Sequence, residues 1–264
     1  MKAYDFEFDS RKLSEYGFII CNFGDQGLNT VSNGSNISFN TISTLSGHKH
    51  ELISTAYEDC LEATIQICKN SCVDDVTEIS STELRELTKW LSRKKFLKFK
   101  ILNEEYIDLY YEASFNISRI EVNGRLYGLE LEIITNRPFA LKEPRTIVIK
   151  NVEEDGKHSL HDTSYEEGYI YPYTEIVIDE DGDLNIYNAI ENRNTFISNC
   201  TAGEIITLDY PVIQSSVSSH NIPNDFNWNF FRIANTFNNN RNDLTISIPC
   251  TITLKYSPIV KIGL

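Results

Sequence analysis

Apolar and polar residues alternate along most of this chain, and a period of two is typical of β-strands. The segment "AYDFEF" places Tyr4, Phe6 and Phe8 on one face. The segment "NISFNTIS", residues 36–43, alternates in the same way. Residues 16–23, "YGFIICNF", are almost continuously apolar, which indicates a strand buried on both faces or placed at an interface. The first half of the chain is therefore predicted to be mostly sheet.

A turn and a helix interrupt these strands. The segment "VNGR", residues 122–125, has the composition of a tight hairpin turn. The segment "SSTELRELTKWLSRK" begins with a capping box formed by Ser80 and Glu83. Three leucines follow at i, i+3 and i+7, so this helix has one apolar stripe and must lie on a sheet face.

The second half is predicted to be all strand, after a hinge. The hinge is "TNRPFALKEPR", which contains two prolines, and we place the boundary after Pro138, giving domains 1–138 and 139–264. Strands are expected at 145–151, 174–179, 183–188, 195–199, 204–210 and 213–217. The segment "LTISIPCTITLKY" predicts one long strand in which Pro249 marks an edge or a bulge. The predicted fold is all-β with one helix, in two β-sandwich domains.

The net charge of the chain argues against some classes of function. The chain has 264 residues, with 24 basic and 38 acidic side chains and a formal charge of −14. Such a surface repels phosphate, which argues against specific nucleic-acid binding. The exception is "SRKKFLKFK" at 92–100, either a solvated helix end or a contact for an acidic partner subunit. No apolar run is long enough for a membrane helix, and the N-terminus lacks the apolar core of a secretory signal.

The candidates for metal chemistry are weak. In "IDEDGDL", residues 178–184, four acidic residues surround Gly182. An EF-hand register would put Val177 and Asn188 at positions that need acidic ligands, so we predict a tight turn between two strands instead. His48 and His50 would share a strand face and could ligate a metal, but an exposed loop is favoured. A loop is also predicted for the polar segment "DGKHSLHDTS", which contains His158 and His161. The six cysteines are predicted to be free thiols.

The segment "FNWNFFRIANTFNNNRNDL" interleaves aromatic residues with asparagines. Alternation of Phe226, Trp228 and Phe230 is typical of the inner face of a strand, which is the favoured interpretation. The sharper alternative is a sugar platform that includes Trp228 and Arg232. No nucleophile motif, phosphate loop or metalloprotease motif is present, so no catalytic or cofactor-binding residue is predicted.

Seven segments together resemble a known family. They are "YDFEFDSRKLSEYGFIICNF", "YEDCLEATIQICK", "STELRELTKWL" and "YGLELEIITNRPFA", followed by "GEIITLDYPVIQSS", "FNWNFFRIANTFNNNRNDLTIS" and "ITLKYSPIVKIG". In this order they resemble the distal tail proteins of siphophages, often called Dit. The resemblance implies an N-terminal β-sandwich with one helix that forms a ring, and a C-terminal β-sandwich that is galectin-like.

The resemblance also implies partners. It implies a homo-oligomeric ring, usually a hexamer, at the tail tip of the virion after assembly in the host cytoplasm. The ring would join the tail-tube protein to the tip protein and anchor receptor-binding proteins, without catalysis or cofactor. In such a ring, the segment with Tyr16, Phe18, Ile20 and Phe23 serves either the domain core or the subunit interface. The alternatives are a carbohydrate-recognition module of a tail tip and a hydrolase that uses scattered carboxylates.

Overall fold

The structure is a computed structural model, and it describes residues 4–23, 32–33, 36–43, 50–72 and 76–261. Contacts divide the chain into two compact units, one made of Met1–Leu141 with Lys261–Leu264, and one made of Lys142–Val260. Strands dominate both units. The expected all-β fold in two parts, with a helix in the first, is confirmed.

The elements of the first half begin with short strands and end with long ones. They are β1 (Phe6–Phe8), β2 (Arg11–Lys12), a 3₁₀ helix (Leu13–Tyr16), β3 (Phe18–Cys21), β4 (Ser32–Asn33), β5 (Ile37–Ser43), β6 (His50–Tyr57), β7 (Glu62–Lys69), α1 (Ser81–Leu91), β8 (Leu97–Ile101), a 3₁₀ helix (Glu104–Tyr106), β9 (Leu109–Val122), β10 (Arg125–Thr135) and β11 (Ala140–Lys142).

The second half contains twelve strands and one short helix. They are β12 (Arg145–Asn151), β13 (Gly156–His161), β14 (Gly168–Ile170), β15 (Tyr173–Ile178), β16 (Gly182–Asn188), β17 (Arg193–Cys200), β18 (Ile205–Asp209), β19 (Val212–Ser215), α2 (Ile222–Asp225), β20 (Ile233–Asn235), β21 (Arg241–Ile246), β22 (Cys250–Tyr256) and β23 (Ile259–Val260).

The first unit is built around one continuous sheet. Its strand order is β2–β1–β8–β9–β10–β7–β3, and β4 also pairs with β7. The β9–β10 hairpin turns at Asn123 and Gly124, whose φ angles are 52° and 77°. Positive φ at both positions is what a type I′ turn requires, so the predicted hairpin at 122–125 is confirmed. Outside this sheet, β5 and β6 form a separate two-stranded sheet.

Helix α1 covers the core of the first unit as its sequence predicts. The side chain of Ser80 accepts from the Glu83 backbone N–H, and Glu83 bonds back to Ser80, which completes the capping box. Trp90 is 3% exposed and stacks on Phe6 with ring centroids 5.8 Å apart. Its indole N–H donates to the carbonyl of Phe8 at 3.0 Å, so the indole is satisfied while buried.

The second unit is a β-sandwich. One sheet has the order β12–β22–β15–β18–β19 and the other β13–β21–β16–β17. Buried side chains of both sheets, including Ile176, Ile186, Ile206 and Leu254, belong to one apolar core. The alternation seen in the sequence is therefore the inner face of two packed sheets.

Two connections differ from the sequence prediction because the chain changes sheets there. The predicted strand over 244–256 is two strands, since β21 lies in the four-stranded sheet and β22 lies inside the five-stranded sheet. Pro249 is thus neither on an edge strand nor in a bulge. It sits in the crossover, where a residue without an N–H costs no ladder hydrogen bond.

The acidic segment 178–184 is also a crossover rather than a hairpin turn. It leads from β15 in one sheet to β16 in the other. The N–H of Asp179 donates to the carbonyl of Pro249 at 3.1 Å, and the Ser247 hydroxyl donates to the carbonyl of Asp183 at 2.7 Å. These hydrogen bonds therefore join the two crossovers to each other. Local sequence cannot separate a hairpin from a crossover, because both are short polar links between strands.

Two further predictions of local structure were wrong. The segment around His158 and His161, predicted as a loop, forms strand β13 paired with β21. Only Gly156 and Leu160 of that strand are buried, so its apolar signal is weak. The segment 226–230 was predicted as a strand, but it is irregular, and Trp228 has a φ of 60°.

Candidate functional site

The β5–β6 hairpin presents an apolar face to solvent. Ile37, Phe39 and Leu52 lie on one face by strand register and are 45%, 63% and 58% exposed. Ile53 sits at the register shift between the strands and is 66% exposed. A two-stranded hairpin without a packed face is marginally stable in water. An apolar face on such an element marks a surface that another molecule covers.

The opposite face of the hairpin is more polar, although it also carries Ile42, which lies opposite Glu51 and is 57% exposed. The side-chain amide of Asn40 donates to the Ser54 hydroxyl at 3.0 Å. The Ser38 hydroxyl donates to the carbonyl of Ala56 at 3.2 Å. The hairpin is thus amphipathic, with one face suited to water and one suited to a partner.

The four residues predicted for a subunit interface lie in different environments. Phe18 is 1% exposed and belongs to the core of the first unit. Tyr16 stacks on Trp90 with centroids 4.5 Å apart. Ile20 is partly buried on β3, and Phe23 is 41% exposed. Because β3 lies at the end of the sheet order, Ile20 and Phe23 remain candidates for a contact, whereas Phe18 serves the core.

A cavity opens beside Phe23. Its volume is about 390 Å³, and its lining includes Cys68, Val122 and Tyr127. The Phe23 ring lies over Gly128, where an added Cβ would stand 2.3 Å from a ring carbon. Glycine at 128 is therefore what lets the aromatic ring lie on the sheet.

The basic stretch after α1 is partly neutralised by its neighbours in the sheet. Lys98 is directly opposite Glu112 on β9, and Lys100 is opposite Glu7 on β1. Lys94 and Lys95 are exposed in the loop before β8. Both interpretations from the sequence, a solvated helix end and a partner contact, stay open.

Aromatic rings of the second unit form a continuous ladder, which we define as Tyr169, Tyr171, Tyr210, Phe230 and Trp228. Neighbouring ring centroids are 6.3, 4.3, 5.3 and 6.4 Å apart in that order. Tyr169, Tyr210 and Trp228 are 57%, 55% and 55% exposed, while Phe230 is 5% exposed. Such spacings are those of favourable ring contacts. The exposed rings of the ladder therefore pack on a buried ring, that of Phe230.

Arg232 supports one end of the ladder. Its guanidinium lies 3.6 Å from the Tyr169 ring centroid. Its Nε donates to Glu191 at 2.7 Å, and its Nη1 donates to the Tyr171 hydroxyl at 3.3 Å. The Glu191 hydrogen bond is the largest cause that raises the pKa of Arg232 above its ordinary value. The Arg232 guanidinium thus contacts both Tyr169 and Tyr171, and most of its N–H groups already form hydrogen bonds or ion pairs.

A buried polar cluster fixes the loop that precedes the ladder's Trp228. The side chains of Glu204 and His220 are 0% and 3% exposed. His220 contacts Glu204 through Nδ1 at 2.5 Å, and through Nε2 it contacts the carbonyl of Ser198 at 3.0 Å and Asp225 at 3.4 Å. Both ring nitrogens face oxygens, so neither is placed to activate a nucleophile.

Burial favours a raised pKa for Glu204, but its partners reverse that effect. Hydrogen bonds from the Ser215 hydroxyl, the Thr201 N–H and His220 act with the charge of His220 and lower the pKa of Glu204 below its ordinary value. The carboxylate is therefore stabilised in its charged form.

The acidic and histidine candidates form no metal cluster in the part of the chain that the structure describes. In the acidic crossover, Asp181 accepts from the Ala202 N–H at 2.6 Å and Asp183 accepts from the Asn199 N–H at 2.9 Å. His50 is exposed at the start of β6, and His48 lies outside the described residues. These carboxylates cap backbone amides rather than converge on one point.

The cysteines of the described chain are free thiols. Cys200 and Cys250 are buried in the core of the second unit, and burial raises the pKa of each to about 12. A thiol with such a pKa is not a nucleophile at neutral pH.

Sequence reasoning found Trp228 and Arg232 but missed the three tyrosines of the ladder. Tyr169 and Tyr171 lie about sixty residues before Trp228 in the chain, and only folding joins them through Tyr210 and Phe230 into one ladder with it. The "YIYPY" run at 169–173 was the available signal, because tyrosines spaced by two share a strand face.

The described residues thus present two exposed apolar surfaces, the β5–β6 hairpin and the aromatic ladder. Residues 1–137 match the family described as "Phage tail protein N-terminal domain", and residues 139–256 match "Phage tail C-terminal domain". The chain therefore belongs to this phage tail protein family.

The fold is also that of a solved distal tail protein. The crystal structure of Dit from phage SPP1, whose title describes it as a paradigm of the hub adsorption apparatus in phages that infect Gram-positive bacteria, matches with a TM-score of 0.67. The match covers 97% of this chain and 99% of that one at 10% identity. The resemblance inferred from the sequence is thus confirmed. No curated protein sequence matches the chain significantly. No helix among the described residues is long and apolar enough to cross a membrane.

Proposed function

We propose that this protein is a structural subunit of the distal tail that assembles with copies of itself into a closed ring, a hexamer by resemblance. The ring joins the tail-tube protein to the tip protein and anchors receptor-binding proteins. The protein has no catalytic role. Its place is the tail tip of the virion, reached after assembly in the host cytoplasm. Support comes from the family match and from a fold shared with a protein described as a hub.

The β5–β6 hairpin carries the assembly part of this proposal. Its exposed face holds Ile37, Phe39 and Leu52, which a monomer leaves in water. A head-to-tail contact, in which the hairpin of one subunit covers a different patch of the next, repeats until the ring closes. Burial of each such side chain stabilises the contact by about 1.5–3 kcal/mol. The partner patch would include the side chains of Ile20 and Phe23 at β3, the last strand in the sheet order, whose Ile20 N–H already donates to the carbonyl of Tyr4 at 3.0 Å.

The assembly test compares two charged substitutions. Phe39→Asp is expected to convert rings to monomers, seen by mass photometry and negative-stain electron microscopy of the full chain. Val148→Asp is the matched control, because Val148 is 61% exposed on a strand of the second unit. It is expected to leave the rings intact.

The outcome can contradict the proposal in two ways. If the wild-type chain stays monomeric across the micromolar range, self-assembly of this chain alone is excluded. If folded Phe39→Asp protein still forms rings, the hairpin is not part of the subunit interface. Far-UV circular dichroism of each variant confirms that the strands are retained.

A further inference from the structure

The aromatic ladder is rigid and open at the same time. Phe230 packs edge-on against Phe226 with centroids 5.0 Å apart, and both side chains are buried. Trp228 is anchored by its indole N–H, which donates to the carbonyl of Pro223 at 3.1 Å. The exposed rings therefore have fixed positions before any ligand arrives. A surface that is already ordered loses little entropy on binding.

The ladder's main segment is uncharged within a strongly acidic unit. Residues 142–260 hold 8 basic and 17 acidic side chains, a formal charge of −9 with histidines neutral. In residues 226–240, Arg232 is the one charged side chain, and it pairs with Glu191. An anionic ligand is repelled by the surrounding unit. Exposed carboxylates lie outside this segment, with Asp209 directly before Tyr210 and Glu167 two residues before Tyr169. The surface around Trp228 therefore suits a neutral ligand.

Amides accompany the rings. Asn227 is exposed and Asn229 partly exposed on either side of Trp228 in the chain. The Asn227 Nδ2 donates one N–H to the carbonyl of Asn194 at 3.1 Å and its Oδ1 accepts from the Asn229 N–H at 3.0 Å, so its second N–H and second lone pair are what it offers to a ligand. An amide offers one acceptor and two donors, which matches the mixed donor and acceptor character of a sugar hydroxyl. The negative face of an aromatic ring attracts the weakly positive C–H hydrogens on the apolar face of a pyranose. Rings and amides together thus match both faces of a neutral sugar.

We propose that Tyr169, Tyr210 and Trp228 form a binding platform for a neutral oligosaccharide, with Asn227 and Asn229 meeting its hydroxyls. Arg232 is a positioning residue here, because its guanidinium holds Tyr169 and Tyr171 and its hydrogen bonds are directed at Glu191 and Tyr171. The platform lies in the second unit, whereas the residues of the proposed ring contact lie in the first.

The test titrates the full-length protein with neutral tetrasaccharides of glucose, galactose and N-acetylglucosamine. Binding is followed by saturation-transfer NMR for every variant, and also by tryptophan fluorescence for the variants that keep Trp228. We expect at least one probe to bind, and Trp228→Ala to weaken it about tenfold or more, as truncation of a central aromatic contact does. Tyr165→Ala is the matched control, because Tyr165 is 53% exposed but faces Lys142 instead of the ladder. It should change the affinity less than twofold.

Arg232→Lys tests the positioning role. It keeps the positive charge beside Glu191 but loses the planar fork. In intermolecular nuclear Overhauser spectra of protein with labelled, assigned aromatic residues, we expect contacts between the saccharide and Trp228 to persist and contacts with Tyr169 to weaken. Equal loss at both rings contradicts a positioning role limited to the tyrosines.

Four outcomes overturn the proposal. One is that no neutral probe binds the folded wild-type protein at millimolar concentration. Another is that a probe binds Trp228→Ala as tightly as wild type. The third is that only an anionic polymer such as poly(glycerol phosphate) binds. The fourth is that Trp228→Ala releases a neighbouring tail protein from assembled tails while no sugar binds. The ladder would then be assigned to that polymer or protein.

Discussion

The hairpin of the first unit and the ladder of the second are both exposed and apolar, yet they are built differently. No residue of β5 or β6 is buried, and four of their large apolar side chains are more than half exposed. The ladder rests on Phe226 and Phe230, which are 3% and 5% exposed. Exposed side chains that pack on no core become ordered only when a partner covers them, whereas exposed rings that pack on buried rings are already ordered in the monomer. The difference is the one expected if the hairpin serves the proposed assembly and the ladder the proposed sugar binding.

The largest expected contrast is in stability. Phe230→Ala removes a buried ring and should lower the free energy of unfolding of the second unit by about 3–5 kcal/mol. Phe39→Ala in the hairpin should change monomer stability by less than about 0.5 kcal/mol. Urea unfolding of the dilute full chain measures both. Tryptophan fluorescence separates the units, since Trp90 lies in the first and Trp228 in the second. A large loss from Phe39→Ala would show that the hairpin is packed in the monomer.

The second contrast concerns the buried cluster before the ladder. His220→Ala leaves the buried carboxylate of Glu204 without its ion pair, which should cost about 3 kcal/mol. Adding Glu204→Gln to that variant removes the unpaired charge and should recover part of the loss. His161→Ala is the control, because His161 is exposed on β13. Additive losses in the double variant would mean that the two side chains are not coupled.

The pH dependence should separate the units further. The pKa of Glu204 is lower in the folded protein than its ordinary value, so the carboxylate contributes stability at neutral pH. That contribution is present above the ordinary pKa of glutamate and is lost as the pH falls through the lowered, folded value. Urea midpoints measured from pH 7 down to pH 3 should therefore fall less for Glu204→Gln than for wild type. An identical pH profile in both would remove Glu204 as a source of acid sensitivity.

The smallest expected effect is on the polar face of the hairpin. Asn40→Ala removes an exposed hydrogen bond to Ser54 and should change stability by less than about 0.5 kcal/mol. Ring formation should also be unaffected, in contrast to Phe39→Asp on the other face. Mass photometry of both variants measures this. Loss of rings in Asn40→Ala would place the partner on the polar face instead.

Local signals predicted local structure well. The capping box at Ser80 and Glu83 and the Asn123-Gly124 turn are where the sequence placed them, because a cap and a type I′ turn are completed within four residues. Trp228 and Arg232 were singled out together, and the structure places them at opposite ends of one ladder. The sequence did not separate their roles, since the partners of Arg232, Glu191 and Tyr169, are distant in the chain.

The sequence by itself determined the fold class, the helix and most strands of the second unit, since periodicity and turn chemistry act between near neighbours. Only the tertiary structure decided which sheet each strand joins. The crossovers at 178–182 and 246–250 depend on contacts such as Asp179 with Pro249, which are seventy residues apart. Burial was decided at the same level. Phe39 and Phe8 occur in similar alternating patterns, yet Phe39 is 63% exposed and Phe8 is 0% exposed, because only β1 joins the main sheet under α1.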